Sequence, residues 1–185
     1  APAPGGVVAT VIDGDSLILA DGREIRLVGI QAPKLPLGRP GFKAWPLSTE
    51  AKAFLEELTQ DASLSLGFGG RRGDRHGRVL AHLFDAQGRW IRGEIVRAGL
   101  ARVYSFSDNR ALSPAMLALE QEARAARRGI WADPFYAVRA AEAAEAWLGG
   151  FELVEGRVVA VGRGGSNTYL NFSDDWRSDF TLLLD

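Results

Sequence analysis

The stretch Val7-Val8-Ala9-Thr10-Val11-Ile12-Asp13-Gly14-Asp15-Ser16-Leu17-Ile18-Leu19 sets two short β-prone runs on either side of an Asp-Gly-Asp turn. An Asp-Gly pair between alternating apolar residues is a strong hairpin signal, because such tight turns need the backbone freedom of glycine. A second turn pair, Asp21-Gly22, leads into Glu24 to Gly29. Runs 7–12, 16–19 and 24–29 therefore predict an antiparallel meander.

Outward from the meander, residues 31 to 47 carry Pro33, Pro36, Pro40 and Pro46 with Gly38 and Gly41 between them. Proline removes a backbone donor and clashes inside helices, so this segment is expected to be a long surface loop. Ser48 is placed to cap a helix through Thr59, with Glu50 in its first turn and Ala53, Phe54, Leu55 and Leu58 as the apolar stripe. A strand over 63–68, the basic Gly-rich segment Gly69 to Gly77, and a strand from Arg78 to Phe84 ending at Asp85-Ala86-Gln87-Gly88 come next. Two further helices are predicted: Ile91 to Ala98, stopped by Gly99, and one capped by Ser113, with Pro114 in its first turn and its end at Gly129.

Five strands interleaved with about three helices predict an α+β fold built on a small five-stranded barrel over residues 1–133. Beyond Trp131 the character changes. Ala137 to Leu148 is an alanine-rich helix candidate, and Val154 to Val161, Thr168 to Phe172 and Asp179 to Leu184 read as strands. The segment 134–185 is thus expected to be a short helix followed by a β-rich C-terminal extension. An isolated three-stranded piece is marginal, so it is expected to pack on the first domain or to continue past Asp185.

Composition limits the chemistry. At 185 residues and 46% hydrophobic the chain can bury a core without covalent staples. Lys plus Arg number 22 against 23 Asp plus Glu, so any polyanion site must be a local patch rather than a whole-molecule field. There is no cysteine, which excludes disulfides and thiolate chemistry, and with only His76 and His82 a zinc site is not expected. The longest apolar stretches fall far short of the ~20 residues of a membrane span. Ala-Pro-Ala-Pro at the start reads as a flexible lead-in. A secreted or periplasmic location is the expectation if a signal peptide was removed before Ala1.

Three separated motifs carry a resemblance. Val11 to Ser16, then Arg26-Leu27-Val28-Gly29-Ile30 with Pro33, then Asp74-Arg75-His76-Gly77-Arg78, resemble staphylococcal nuclease, the thermonuclease family built on an OB-type barrel. The likeness also takes in Glu50-Ala51 to Phe54, Leu80-Ala81, Leu100-Ala101 and Gly129-Ile130-Trp131, so it spans residues 7 to about 131. It implies a five-stranded OB-type barrel; separately, Tyr169-Leu170-Asn171-Phe172 and Asp175-Trp176-Arg177 in the tail resemble segments of OB-like modules, which makes residues 134–185 an expected OB-like extension. It also implies a calcium ion held by Asp15, by an Asp at the position where this chain has Gln31, and by a neighbouring carbonyl, with Asp13 as a supporting acid. The catalytic Glu of the family falls on Lys34. Arg26 and Arg78 take the places of the two phosphate-holding arginines, and Arg75, His76 and Tyr104 lie where the family contacts the nucleotide. Arg71, Arg72 and Phe106 add charge and an aromatic face to that region.

Calcium takes about six to eight oxygen ligands and favours carboxylates, so the Gln31 amide is a poorer donor and the Lys34 ammonium supplies none. Losing a positioned general base removes roughly 100- to 10,000-fold in rate. A guanidinium, by contrast, can hold phosphate oxygens by paired hydrogen bonds without a metal. The expectation is a homologue that binds nucleic acid or another phosphate-bearing ligand, with cleavage weak or absent. The alternatives are an active calcium-dependent phosphodiesterase acting on DNA or RNA through a rearranged metal site, and a scaffold for protein partners. The plainer readings of the same residues are a turn-forming Asp15, an Arg26 ion pair with Glu24 and an Arg78 ion pair with Asp74.

Overall fold

The computed structural model describes residues 3–175, 177 and 180–184. The chain divides into two compact units, Ala1–Asp133 and Pro134–Asp185.

In the first unit the Asp-Gly-Asp turn joins strands β2 (Val8–Asp13) and β3 (Ser16–Leu19), preceded by β1 (Ala3–Gly6). Strand β4 (Glu24–Leu27) pairs antiparallel with β3, which completes the expected meander. Strand β5 (Ile30–Gln31) follows directly, then helix α1 (Ser48–Thr59), β6 (Leu64–Gly67) and β7 (Val79–Phe84). Helix α2 (Ile91–Arg97), the short strand β8 (Arg102–Val103) and helix α3 (Ser113–Ala125) complete the unit, with a 3₁₀ turn at Gly129–Ala132.

The sheet order is β1-β6-β7-β4-β3-β2, with β4 and β7 parallel and the other pairs antiparallel. The expected α+β class holds, but the sheet has six strands rather than five, and no closed barrel is found among the described residues. The extra strand comes from the start of the chain. Ala3 pairs with Leu66, so Ala3 and Pro4 of the expected flexible lead-in belong to an edge strand, a place in a sheet where proline is tolerated. A separate ladder joins β5 to β8 and sets Gln31 opposite Arg102, which takes Gln31 out of the long loop.

Alternation along the strands buries Val11, Leu17, Leu19, Ile25, Leu27, Leu66 and Leu83 against Leu55 of α1 and Ile91 and Ile95 of α2. Each such side chain contributes about 1.5–3 kcal/mol by leaving water. Two expected caps do not form. Helix α1 starts after Leu47 in a left-handed conformation, with Ser48 buried inside it, and α3 starts after Leu112; neither end has a side-chain cap. Helix α3 also ends before Gly129, because Arg127 already takes positive φ.

A buried polar pair sits beneath the sheet. Arg92 is fully enclosed, hydrogen-bonds His82 Nδ1 and lies 4.9 Å from the Trp90 ring. Burial lowers the guanidinium to about 9. Burial and then the Arg92 charge lower His82 to about 4.

In the second unit β9 (Val138–Ala140) runs parallel to β10 (Leu153–Glu155), and β11 (Ala160–Gly164), β12 (Asn167–Asn171) and β13 (Thr181–Leu184) form an antiparallel meander. The expected helix over Ala137 to Leu148 is instead β9 followed by a 3₁₀ segment, Ala141–Trp147. Pairing with β10 draws the start of that segment into an extended form, and tertiary pairing overrides alanine propensity. The expected strand Val154 to Val161 is two strands, β10 and β11, parted by residues 156–159. The start expected for the last strand, Asp179, lies outside the described residues, as does Trp176. No helix among the described residues is long and apolar enough to cross a membrane.

The His82 shift has a sign that can be measured. The unfolded chain takes up a proton as pH falls through 6.5 and the folded chain only near 4, so stability from His82 is present above 6.5 and is lost on acidification between those values. Urea denaturation at pH 7 and pH 4.5 should show His82→Gln, which keeps an acceptor for Arg92, losing about 2–3 kcal/mol less than the parent across that interval.

Candidate phosphate-binding site

The site begins at the Asp-Gly-Asp turn. Asp13 Oδ1 accepts the Asp15 N–H at 3.0 Å, the local bond that shapes the turn. Gly14 is needed there because a Cβ would stand 2.7 Å from the Cβ atoms of both Ala32 and Ala51, so only glycine lets α1 and the segment after β5 close over the turn. Asp15 is left 1% exposed.

Both Asp15 oxygens are engaged. Oδ1 pairs with the Arg26 guanidinium and accepts Ser16 Oγ at 3.3 Å; Oδ2 accepts the Ala32 N–H at 2.7 Å and Lys34 Nζ at 3.4 Å. Arg26 arrives from β4, opposite Ser16, and also donates to the Asp15 carbonyl at 3.1 Å and the Ile30 carbonyl at 3.0 Å. The plain alternative of an Arg26–Glu24 pair is thus replaced by a buried pair with Asp15. Burial pushes Asp15 up, but the Arg26 and Lys34 charges outweigh it and hold the carboxyl below its usual value. Burial and then the neighbouring Asp15 charge push Asp13 up to about 6.

Arg26 also lines a cleft of about 610 Å³ together with Arg75, His76, Arg78 and Tyr104. These five positions span residues 26 to 104 and meet only in the fold. Asp13, Asp15, Gln31 and Lys34 are not among the cleft-lining residues; Asp13 and Lys34 join Asp15 in a node with Arg26. Gln31 Oε1 accepts from Arg102, whose guanidinium lies 4.8 Å from the Tyr104 ring. Among the described residues no three His, Asp or Glu side chains cluster so as to hold a metal ion.

The two arginines are not equivalent. Arg78 donates through Nε to Asp74 Oδ2 at 2.7 Å, as the plainer reading expected, and Asp74 Oδ1 takes the Arg78 backbone N–H at 3.0 Å. No other acceptor meets the Arg78 guanidinium among the described residues, so its outer N–H pair remains for a ligand in the cleft. Arg26 spends its donors on Asp15 and Ile30 and serves chiefly as wall and charge.

Sequence reasoning missed three contributors. Arg102 alternates with Tyr104 along one strand edge, a period-2 signal that placed both on one face. Asn109 donates through Nδ2 to the Arg71 carbonyl at 2.8 Å, and Arg71 N–H donates to the Asp108 carbonyl at 3.1 Å, so the two cleft walls are zipped at their base. Gly70 permits that closure, since a Cβ there would lie 2.0 Å from the Asp108 carbonyl oxygen. No local pattern announces Asn109 or Gly70, because their partners are more than thirty residues away.

A family model described as staphylococcal nuclease homologue matches residues 24–133. The chain belongs to the staphylococcal nuclease homologue family. Within it, the chain is 32% identical over 131 residues to a protein of Escherichia coli described as an uncharacterized endonuclease, covering 69% of this chain and 77% of that one. It is 32% identical over 140 residues to Protein ParB of Escherichia coli, covering 70% and 73%. The family match includes Arg26, Lys34, Arg78 and Tyr104 but begins after the Asp-Gly-Asp turn at residues 13–15.

Gly70→Ala should force the cleft walls apart, at a cost of about 1–3 kcal/mol for an overpacked backbone contact. Thermal denaturation will report the loss, and amide exchange at Arg71, whose N–H is held by Asp108, should accelerate in the variant.

Proposed function

We propose that the first unit grips a nucleic-acid phosphodiester in the cleft, with cleavage weak or absent. The observation that carries this reading is the division of labour between the cleft and the node. Arg75, His76, Arg78 and Tyr104 converge on one cavity with Arg26, while the Asp15 carboxylate is consumed by Arg26, Lys34 and the Ala32 N–H. Arg78 offers its outer guanidinium edge to phosphate oxygens, and Tyr104, 40% exposed and edge-on to Phe106 at 5.0 Å, gives a face on which a base can stack. The description of an Escherichia coli relative as an endonuclease supports nucleic acid as the ligand class.

The calcium ion that family membership implies does not suit these side chains. Calcium needs several anionic or carbonyl oxygens with free lone pairs. Here one Asp15 oxygen is shared by Arg26 and Ser16, the other by Ala32 and Lys34, and the Gln31 oxygen is taken by Arg102. The resemblance puts the family's catalytic Glu at Lys34, so the carboxylate that would accept a proton from the attacking water is missing there.

Fluorescence anisotropy with a labelled single-stranded oligonucleotide tests the reading. Binding should weaken as salt rises, and Arg78→Ala should lose about 10- to 100-fold in affinity, the range for a charged hydrogen-bond pair. The same oligonucleotide incubated with calcium should remain intact. Robust calcium-dependent cleavage that Asp15→Ala abolishes would establish the active phosphodiesterase instead. Absence of salt-sensitive binding would favour a protein-interaction scaffold.

A further inference from the structure

We propose that the Lys34 ammonium is the resident cation of the Asp-Gly-Asp node, filling by charge the role of a divalent ion, so that the node and the Arg26 wall stay ordered without metal. The inference concerns the node and stands independently of what the cleft binds.

The argument is electrostatic and geometric. A carboxylate as buried as Asp15 is stable only if it is paired and hydrogen-bonded, and removing one partner from such a pair costs more than a surface bridge ever contributes. Two carboxylates, Asp13 and Asp15, meet in one turn, and two cations, Arg26 and Lys34, both pair with Asp15. That is the charge balance a divalent ion would otherwise supply.

Lys34 is also held in place. Two residues before it the Ala32 N–H is fixed to the same Asp15 oxygen at 2.7 Å, and its own carbonyl accepts the Trp45 N–H at 2.9 Å. The ammonium therefore projects from a backbone pinned on both sides, at 3.4 Å from Asp15 Oδ2, with a side chain only 22% exposed. A freely solvated lysine would have neither constraint. The Trp45 bond also ties Lys34 to the segment 35–47 that follows it.

Three measurements test this without nucleic acid, so their failure is separate from failure of the cleft reading. Calorimetric titration of the native protein with calcium should give no saturable heat; saturable binding that Asp15→Asn removes overturns the proposal. Lys34→Gln, which keeps chain length and loses the charge, should lower the melting temperature, and an unchanged melting temperature overturns it. The double variant Lys34→Glu with Gln31→Asp should gain a calcium response, with a melting temperature rising by roughly 5–10 °C at about 100 times the dissociation constant. If that variant is unfolded without calcium, recovery of its far-ultraviolet circular dichroism on calcium addition is the supporting result. No response of either kind overturns the proposal.

Discussion

The constraint on which the first unit depends is the burial of one carboxylate. Asp15 has no water to solvate it, so the fold must bring charge and N–H groups to both of its oxygens. Arg26 comes from β4, Ala32 and Lys34 from the segment after β5, and Ser16 from the same turn, so three separate pieces of chain are tied at one point. Gly14 makes room for this convergence by letting Ala32 and Ala51 approach the turn. The apolar core beneath supplies most of the driving force, but it is tolerant of register. The carboxylate is not, because a missing partner leaves an uncompensated buried charge.

That arrangement explains why related arginines end in different states. Arg26 lies between node and cleft and is occupied on its inner side by Asp15 and Ile30. Arg78 stands on the far wall, steadied by a single carboxylate that uses one edge of the guanidinium. A planar fork with one edge pinned keeps the other edge oriented at little entropic cost, which is the physical advantage of arginine over lysine there. The walls themselves are set by backbone contacts at Gly70, Arg71 and Asn109 rather than by the charged residues.

Lys34 changes character between sequence and structure. As a residue type, set where the resemblance implies the family's catalytic Glu, it reads only as a missing carboxylate. In the fold it is a partner of Asp15, placed by the Ala32 and Trp45 amides, and its consequence is local order.

Much of the molecule was legible in the residues themselves. Alternation and turn chemistry locate the meander through Leu27 and the strands 64–67 and 79–84, since period-2 burial and Asp-Gly turns are local physics. The apolar stripe locates α1, though not its cap, because Leu47 rather than Ser48 takes the left-handed entry. The motif residues Arg26, Arg75, His76, Arg78 and Tyr104 are named by sequence, yet their meeting in one cleft is not, because the contacts join positions up to 78 residues apart, 104 minus 26. The same limit hid β1, the failure of the Ala137 to Leu148 helix, and the hold of Arg102 on Gln31. The sequence by itself determined which side chains are cationic and where a carboxylate is lacking, as at Gln31 and Lys34, since charge and donor type belong to the residue. Only the tertiary structure decided which of those charges are consumed within the protein and which are left facing the cleft, since pairing depends on distance.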